Sequence, residues 1–447
     1  MESIGLAGWL ALWMAGAAII AATQWRGRGV GAGLMLAYVI NLGTIHWLAA
    51  AIYLFPWYSN YSPGVVELGF RQSVWAIIAF ATGSAAAAPW LLVRVRPVRR
   101  SISPGAPASR EVVVAYLGVG LLFSLVLLPL IAGAATLTAI VSVGRSLIAA
   151  GLGVACWEAW RRRSRTLIAW VGAALCLPFL TVITEGFLGF GATTAVAVGA
   201  LLAMFYRPRW KLVLIGLVLA YLGLSFYVAY MRDRDDIREV VWGGQSLVNR
   251  VEQLYVTVST SEWFDPYNSD QLTEIDRRLN QNYLVGSAVD FLASRPGDYA
   301  NGETLWDAVI ALIPRAVWAD KPVVAGSADL VTRFTGIEFA EGTSVGIGQV
   351  MEFYVNFGTL GVVLGFGVLG VLLSIIDATA GHRLSDGDWP GFALWYLPGL
   401  ALIQVGGSLV EVTGSSAASL VAALIVNGLL FRRARIGGRL ESRLTAR

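Results

Sequence analysis

Lysine, histidine and cysteine are nearly missing from this 447-residue chain, at two copies each. Cys156 and Cys176 both sit in apolar runs, which excludes a disulfide framework and any cysteine-rich metal site. His46 and His382 are far apart in sequence and supply too few ligands for a zinc centre. Charge is scarce too: 14% of residues are Asp, Glu, Lys or Arg, against roughly 25% in a soluble domain. With 56% apolar residues and a mean hydropathy of +0.65, a string of soluble globular domains is excluded. Only Lys211 and Lys321 are lysine, so 31 of the 33 basic residues are Arg, and the net charge of +4 hides an uneven distribution.

What is present is long apolar runs. A helix crosses roughly 30 Å of hydrocarbon with about 20 mostly apolar residues. Eleven runs qualify, near 4–22, 30–53, 72–93, 111–131, 138–159, 167–184, 186–206, 211–230, 356–377, 390–411 and 414–431. The expected fold class is an all-α polytopic integral membrane protein of about 11 transmembrane helices. Met1-Glu2-Ser3 places no cation before the first run, and Arg26 and Arg28 follow it, so it reads as a retained helix, not a cleaved signal peptide.

Arg and Lys in short loops stay on the cytoplasmic side. Alternate loops carry Arg26 and Arg28, the five arginines of 94–110, the four of 161–165, then Arg207, Arg209 and Lys211, then Arg383, and finally the six of the 432–447 tail. These are 21 of the 33 cations, while the opposite short loops hold essentially Arg71 alone, which reads as an interfacial anchor. The N-terminus is therefore expected outside and the basic tail in the cytoplasm. The expected organisation is 1–230 with eight spans, 231–345 as a large external loop domain, 346–431 with a returning helix and three spans, and the 432–447 tail.

Residues 231–345 hold 18 Asp/Glu and 10 Arg/Lys and form the one large hydrophilic segment. Apolar spacing near 3.6 predicts helices over 246–258, 271–293 and 303–313. Trp242, Trp263, Trp306 and Trp318 point to a segment that lies on the bilayer surface or closes a cavity. No internal repeat is visible, which counts against a transporter of inverted halves.

Within this segment, Ile313-Pro314-Arg315-Ala316-Val317-Trp318-Ala319-Asp320-Lys321-Pro322 brackets two cations and a Trp between prolines. A stiff Arg and Lys can seat a phosphate or diphosphate, with Arg333 close behind in sequence; the alternative is a solvated loop paired with Asp320. Gln349, Glu352 and Asn356, at i, i+3 and i+7, share one helical face, where a carboxylate between amides can bind a sugar or take a proton. The alternative is a face that simply meets water. Gln404, Ser408 and Glu411 form a similar stripe in the tenth run, and the two stripes predict a shared wet cavity.

Arg145 lies on the order of 10 Å inside the fifth run, where a cation must snorkel, pair or line a cavity. Glu185, at the turn before the seventh run, is its candidate partner or a base, or else a solvated turn residue. Arg232-Asp233-Arg234-Asp235-Asp236 reads as a self-paired, solvated start to the loop domain. His46 reads as a hydrogen-bonded packing residue, and His382 as solvated.

No H-E-x-x-H, no phosphate-cradling G-x-x-x-x-G-K-[ST] and no thiol dyad occurs, so metalloprotease, ATP-driven pump and cysteine transpeptidase lose support. The cytoplasmic loops are too short for a nucleotide-sugar domain. Chemistry is expected outside, on lipid-linked donors.

At Ile313 to Gly358 the chain resembles the O-antigen polymerases of the Wzy type and related oligosaccharide repeat-unit polymerases. The matching residues are Pro314, Arg315, Trp318, Lys321 and Pro322, then Glu352, Tyr354, Asn356, Phe357 and Gly358. The resemblance implies a GT-C-like, metal-independent membrane glycosyltransferase that needs no cofactor. It would join undecaprenyl-diphosphate-linked oligosaccharides, both donor and acceptor, into O-antigen, capsule or exopolysaccharide at the periplasmic face. By that analogy Arg315, with Lys321, Arg145 or Arg333, neutralises the diphosphate; Glu352, or else Glu185, orients or deprotonates the acceptor. Trp318, Gln349, Tyr354, Asn356 and Glu411 are the candidate sugar-binding residues. Membrane lipids, a chain-length regulator and a flippase are the implied partners, and nucleic acid is not. An O-antigen ligase differs only in acceptor and stays open, as do a lipid-linked oligosaccharide transporter and a non-catalytic assembly partner.

Overall fold

The computed structural model describes residues 4–26, 31–89, 108–127, 135–313, 318, 320–322, 326–339 and 345–445. Among these residues the secondary structure is entirely helical. Nine helices among them are long and apolar enough to cross a membrane. They are α1 (Leu6–Arg26), α2 (Leu34–Leu54), α3 (Pro63–Ala86), α4 (Ser109–Leu127), α6 (Thr166–Glu185), α7 (Leu188–Phe205), α8 (Arg209–Arg232), α15 (Gln349–Asp386) and the first part of α17 (Leu409–Thr445). Each falls on one of the eleven expected runs. The fifth run is α5 (Ala135–Arg161), a 27-residue helix that carries Arg145.

The tenth run is different. The helix there, α16 (Trp389–Leu402), has 14 residues, about 21 Å at 1.5 Å per residue. The expected helix over 390–411 is broken at Gln404–Ser408, where Gly406-Gly407 cannot sustain it and the Ser408 hydroxyl accepts the Glu411 N–H at 3.2 Å to start α17. The Gln404, Ser408 and Glu411 stripe is thus a turn followed by a first helical turn, not one helix face.

Residues 231–345 form α9 (Arg234–Trp242), α10 (Leu247–Ser259), α11 (Ser269–Leu279), α12 (Gln281–Ala293), α13 (Glu303–Ala311) and α14 (Ser327–Thr335). The single helix expected over 271–293 is split at Asn280, whose side-chain oxygen accepts the N–H groups of Asn282 and Tyr283 and so caps α12. These helices share no core of their own. Ile237, Val241 and Leu254 pack on Val182, Leu188 and Tyr230, and Leu272 packs on Ile52 and Tyr58. Val285, Leu292, Leu330 and Phe334 instead belong to the main core with the spanning helices.

The crossing of α12 on α3 shows why. A Cβ on Gly286 would lie 1.9 Å from the Val65 carbonyl oxygen, and one on Gly69 would lie 1.9 Å from the Asn282 carbonyl oxygen. Two reciprocal glycines let the backbones touch, the usual device for helices that pack without a hydrophobic drive. His46 and Asn282 close the same contact through Nδ1 and Oδ1 at 2.7 Å and the Asn282 amide on the His46 carbonyl at 2.8 Å. The packing role read for His46 is its role here. Gly286→Ala is expected to cost about 2 kcal/mol or more, because backbone must move; thermal unfolding of the detergent-solubilised protein measures it.

Helix α15 is broken near its start. Phe357 (φ −142°, ψ 26°) and Gly358 (φ 62°, ψ −151°) are non-helical, so 349–356 is a short helix set against the span that follows. Gly358 is required at that φ.

Candidate functional site

The short helix 349–356 places its polar face in the core. Gln349, Glu352 and Asn356 are all buried. Gln349 accepts from the Tyr38 hydroxyl at 2.6 Å and donates to the carbonyls of Leu402 and Gln404, each at 3.4 Å. Asn356 accepts from Gly302 N–H at 2.8 Å and donates to the Thr304 hydroxyl and the Glu352 carbonyl, each at 2.7 Å. Both amides therefore tie the short helix to neighbouring turns, and Asn356 has its second amide bond on the Glu352 carbonyl of its own helix.

Glu352 is different from its flanking amides. Its side chain has no exposed surface, Oε2 accepts the Leu409 N–H at 2.6 Å, and Oε1 has no well-aligned donor among the described residues, the Thr304 hydroxyl being the one side-chain donor close to the carboxylate. A buried carboxylate oxygen without a well-aligned donor costs stability unless a water, an ion or a substrate meets it. The charged neighbours that act on it, Glu411 and Asp307, are acidic. Glu411 closes a reciprocal cap, accepting from Ser408 N–H at 3.0 Å, and also accepts from the Ser327 hydroxyl at 3.3 Å. The two polar groups meet at the 403–408 turn, but through direct hydrogen bonds between buried groups and not across the shared wet cavity expected.

The second cluster is the ion pair Arg145–Glu185 at 2.8 Å, with Arg145 8% exposed. The guanidinium also lies 4.0 Å from the centre of the Phe190 ring. Removing one partner of such a pair strands a buried charge, at a cost of about 3–5 kcal/mol. The turn is held from above by Tyr230 on the Gly186 carbonyl at 2.8 Å and Trp242 on the Glu185 carbonyl at 3.1 Å. A cleft of about 20 Å³ beside Arg145 is lined by Thr193, Thr194 and Gln404. It has room for a single water and none for a diphosphate in this conformation.

The remaining expected residues are dispersed. Arg333 makes two hydrogen bonds to Glu303, at 2.9 and 2.8 Å, on the surface of the 231–345 segment. Lys321 donates to the Ile313 carbonyl at 3.1 Å, Trp318 is exposed, and Tyr354 is buried with its ring 6.4 Å from that of Tyr299. Pro314 and Arg315 lie outside the described residues. Among the described residues no three His, Cys, Asp or Glu side chains are grouped to hold a metal ion.

The Glu303–Arg333 pair makes a pH prediction. Hydrogen bonds from Arg333 hold the Glu303 carboxyl below its usual range. The pair's contribution is complete above the ordinary Glu value and is lost as pH falls through the lowered one. Being exposed, it contributes little, but it links α13 to α14. Limited proteolysis between 303 and 345 is expected to accelerate below about pH 4, and Glu303→Gln is expected to remove that pH dependence.

Two residues escaped the sequence reading. Thr304 carries no pattern that marks it. Asp377 does carry a signal, a carboxylate at the end of an apolar run, yet only the fold reveals what it does. Its Oδ1 accepts the Leu34 N–H at 2.6 Å, at the start of α2.

Helix lengths, apolar surfaces and buried polar clusters together define a multi-pass helical membrane protein. Residues 103–409 match the model of a family described as a domain of unknown function (DUF8712), and the chain belongs to that family. No curated protein and no solved structure matches it.

Proposed function

We propose that the protein is a membrane glycosyltransferase that polymerises undecaprenyl-diphosphate-linked oligosaccharides at the periplasmic face. The observation that carries this reading is Glu352: a buried carboxylate with one oxygen lacking a well-aligned donor among the described residues, on a broken helix ending in Asn356-Phe357-Gly358. Helix α13 contributes Thr304 to that cluster through Asn356 and is followed in sequence by Ile313 and Arg315.

In this reading the acceptor hydroxyl attacks the anomeric carbon of the donor. The bond from that carbon to the diphosphate oxygen breaks, and its electron pair leaves with the lipid diphosphate. Glu352 takes the acceptor proton. Arg315 and Lys321 offset the charge that grows on the leaving group. Glu352 is covered in this conformation, so substrate access requires the 404–411 and 300–304 turns to part from it.

The test is to incubate purified protein with a synthetic undecaprenyl-diphosphate oligosaccharide, without nucleotide, and resolve products on a gel. A ladder from the wild type that is lost in a folded Arg315→Ala variant supports the reading. Transfer to lipid A core with no ladder would make the protein a ligase, and inertness with both acceptors would remove the enzymatic reading.

A further inference from the structure

A cavity of about 560 Å³ lies apart from both of these clusters. It lies between the end of α8 and helices α9 and α11. Arg232, Arg234, Arg277 and Arg278 line it together with Asp235, Glu262, Asp270 and Glu274. The charges balance in number but not in pairing. Arg232 is committed to Asp233, at 2.7 and 3.0 Å, and to Thr260. Arg277 leans on Glu274 at 3.8 Å.

Arg234 and Arg278 have no close carboxylate, although Arg234 also meets the Tyr230 hydroxyl. The carboxylate that comes within 4.0 Å of Arg234 belongs to Asp235, which is 96% exposed and turned to solvent. Arg278 makes no ion pair or side-chain hydrogen bond among the described residues. Burial, then the Arg278 guanidinium, hold Arg234 below its usual range. Burial and then Arg234 do the same to Arg238, whose Nε is buried without an acceptor. Adjacent guanidiniums that repel, with Arg278 in no ion pair among the described residues, give that part of the cavity the electrostatics of an anion site.

The position of the cavity indicates which anion. One wall is Val228–Arg232, the end of α8, the least buried of the nine candidate spans at 11%. Val213, Leu217 and Leu222 of α8 are exposed. Tyr221 stacks on Trp263, their rings 6.2 Å apart, an aromatic pair of the kind found at head-group level. A ligand with a phosphate head and an apolar tail therefore meets cations in the cavity and a bare apolar helix beneath it.

We propose that the cavity around Arg234 and Arg278 binds the phosphate head group of an anionic membrane lipid whose chain lies along α8. The site is separate from the Glu352 cluster and stands whether or not the protein is a polymerase. The test follows thermal unfolding of the full-length protein in neutral detergent as phosphatidylglycerol, phosphatidylcholine or inorganic pyrophosphate is added. Phosphatidylglycerol is expected to raise Tm saturably and phosphatidylcholine not to. Arg278→Gln is expected to weaken the phosphatidylglycerol effect by about tenfold or more, the loss of one charge-assisted fork. Its lipid-free Tm should equal or exceed that of wild type because a repulsion has been removed, which separates lost binding from misfolding. Arg234→Lys, keeping the charge but not the fork, should fall between, and Arg295→Gln, outside the cavity, should match wild type. An unchanged phosphatidylglycerol response in Arg278→Gln overturns the proposal. Stabilisation by pyrophosphate with none by phosphatidylglycerol overturns the lipid assignment in favour of a soluble phosphate.

Discussion

Glu352→Gln is expected to reduce polymer formation by about 10²-fold or more while leaving the Tm close to that of wild type. The carboxamide oxygen can still accept the Leu409 N–H that Oε2 accepts at 2.6 Å, so the anchor survives. What is lost is the second oxygen, which has no well-aligned donor among the described residues and is the atom available to take a proton. Glu352→Ala separates the two roles from the other side. It orphans the Leu409 N–H and opens a cavity in a closed core, and is expected to cost about 2–4 kcal/mol of stability. The gel assay with the synthetic lipid-linked oligosaccharide, read beside a melting curve for each variant, decides the matter. Full activity in Glu352→Gln would remove the proton-transfer role and leave the residue a structural one.

Asp377→Ala is expected to destabilise the protein by about 3 kcal/mol or more, without any direct effect on chemistry. The carboxylate reaches from α15 to the first turn of α2 and accepts the Leu34 N–H at 2.6 Å, while the Ala32 N–H meets the Asp377 main-chain carbonyl at 3.2 Å. The Ala32 bond to the main-chain carbonyl survives the substitution, but the Leu34 N–H and its neighbours Gly33 and Met35, which also hydrogen-bond the carboxylate, have no intrahelical acceptor, and each left buried and unpaired costs about 1–3 kcal/mol. The approach is close because Gly31 and Gly33 permit it: a Cβ on Gly31 would lie 2.3 Å from Asp377 Oδ2, and Gly33 has φ +83° against the Ala200 backbone. Asp377→Asn keeps an acceptor but not the negative charge that the helix N-terminus favours, so a loss of about half that size is expected. Thermal unfolding of both variants measures it; a wild-type Tm in Asp377→Ala would mean that water replaces the carboxylate.

Much of the site was legible from residue type. A lone Arg145 in an apolar run demands a partner, and Glu185 is the candidate within reach; the fold pairs them at 2.8 Å. The i, i+3, i+7 spacing of Gln349, Glu352 and Asn356 correctly places three polar groups on one face. Spacing has no access to what that face meets, so it could not separate the two amides, which are engaged in holding turns, from the carboxylate, which has one oxygen without a well-aligned donor among the described residues. The stripe over Gln404, Ser408 and Glu411 failed for a related reason. Apolar content continues across Gly406-Gly407, but two glycines and a capping serine end one helix and begin another, and a hydropathy count does not register them.

The unpaired arginines were harder still. Arg232-Asp233-Arg234-Asp235-Asp236 reads as alternating charges that satisfy one another, and Arg232 with Asp233 does so. Arg234 instead meets Arg278, more than forty residues further along the chain, a juxtaposition visible only after α11 folds back beside the end of α8.

The sequence by itself determined that this is a helical membrane protein, where most of its long helices fall, and that its charged side chains are almost all arginine and carboxylate. Those are properties of composition and local periodicity, and each residue carries them wherever it sits. Tertiary structure decided which polar groups are consumed in holding the fold, that α12 lies in the main core through the Gly69 and Gly286 crossing, and which charges are left without a partner. Desolvation and pairing depend on the groups brought in from distant helices, and a hydrogen bond or an unmet charge is a property of two surfaces, not of one stretch of chain.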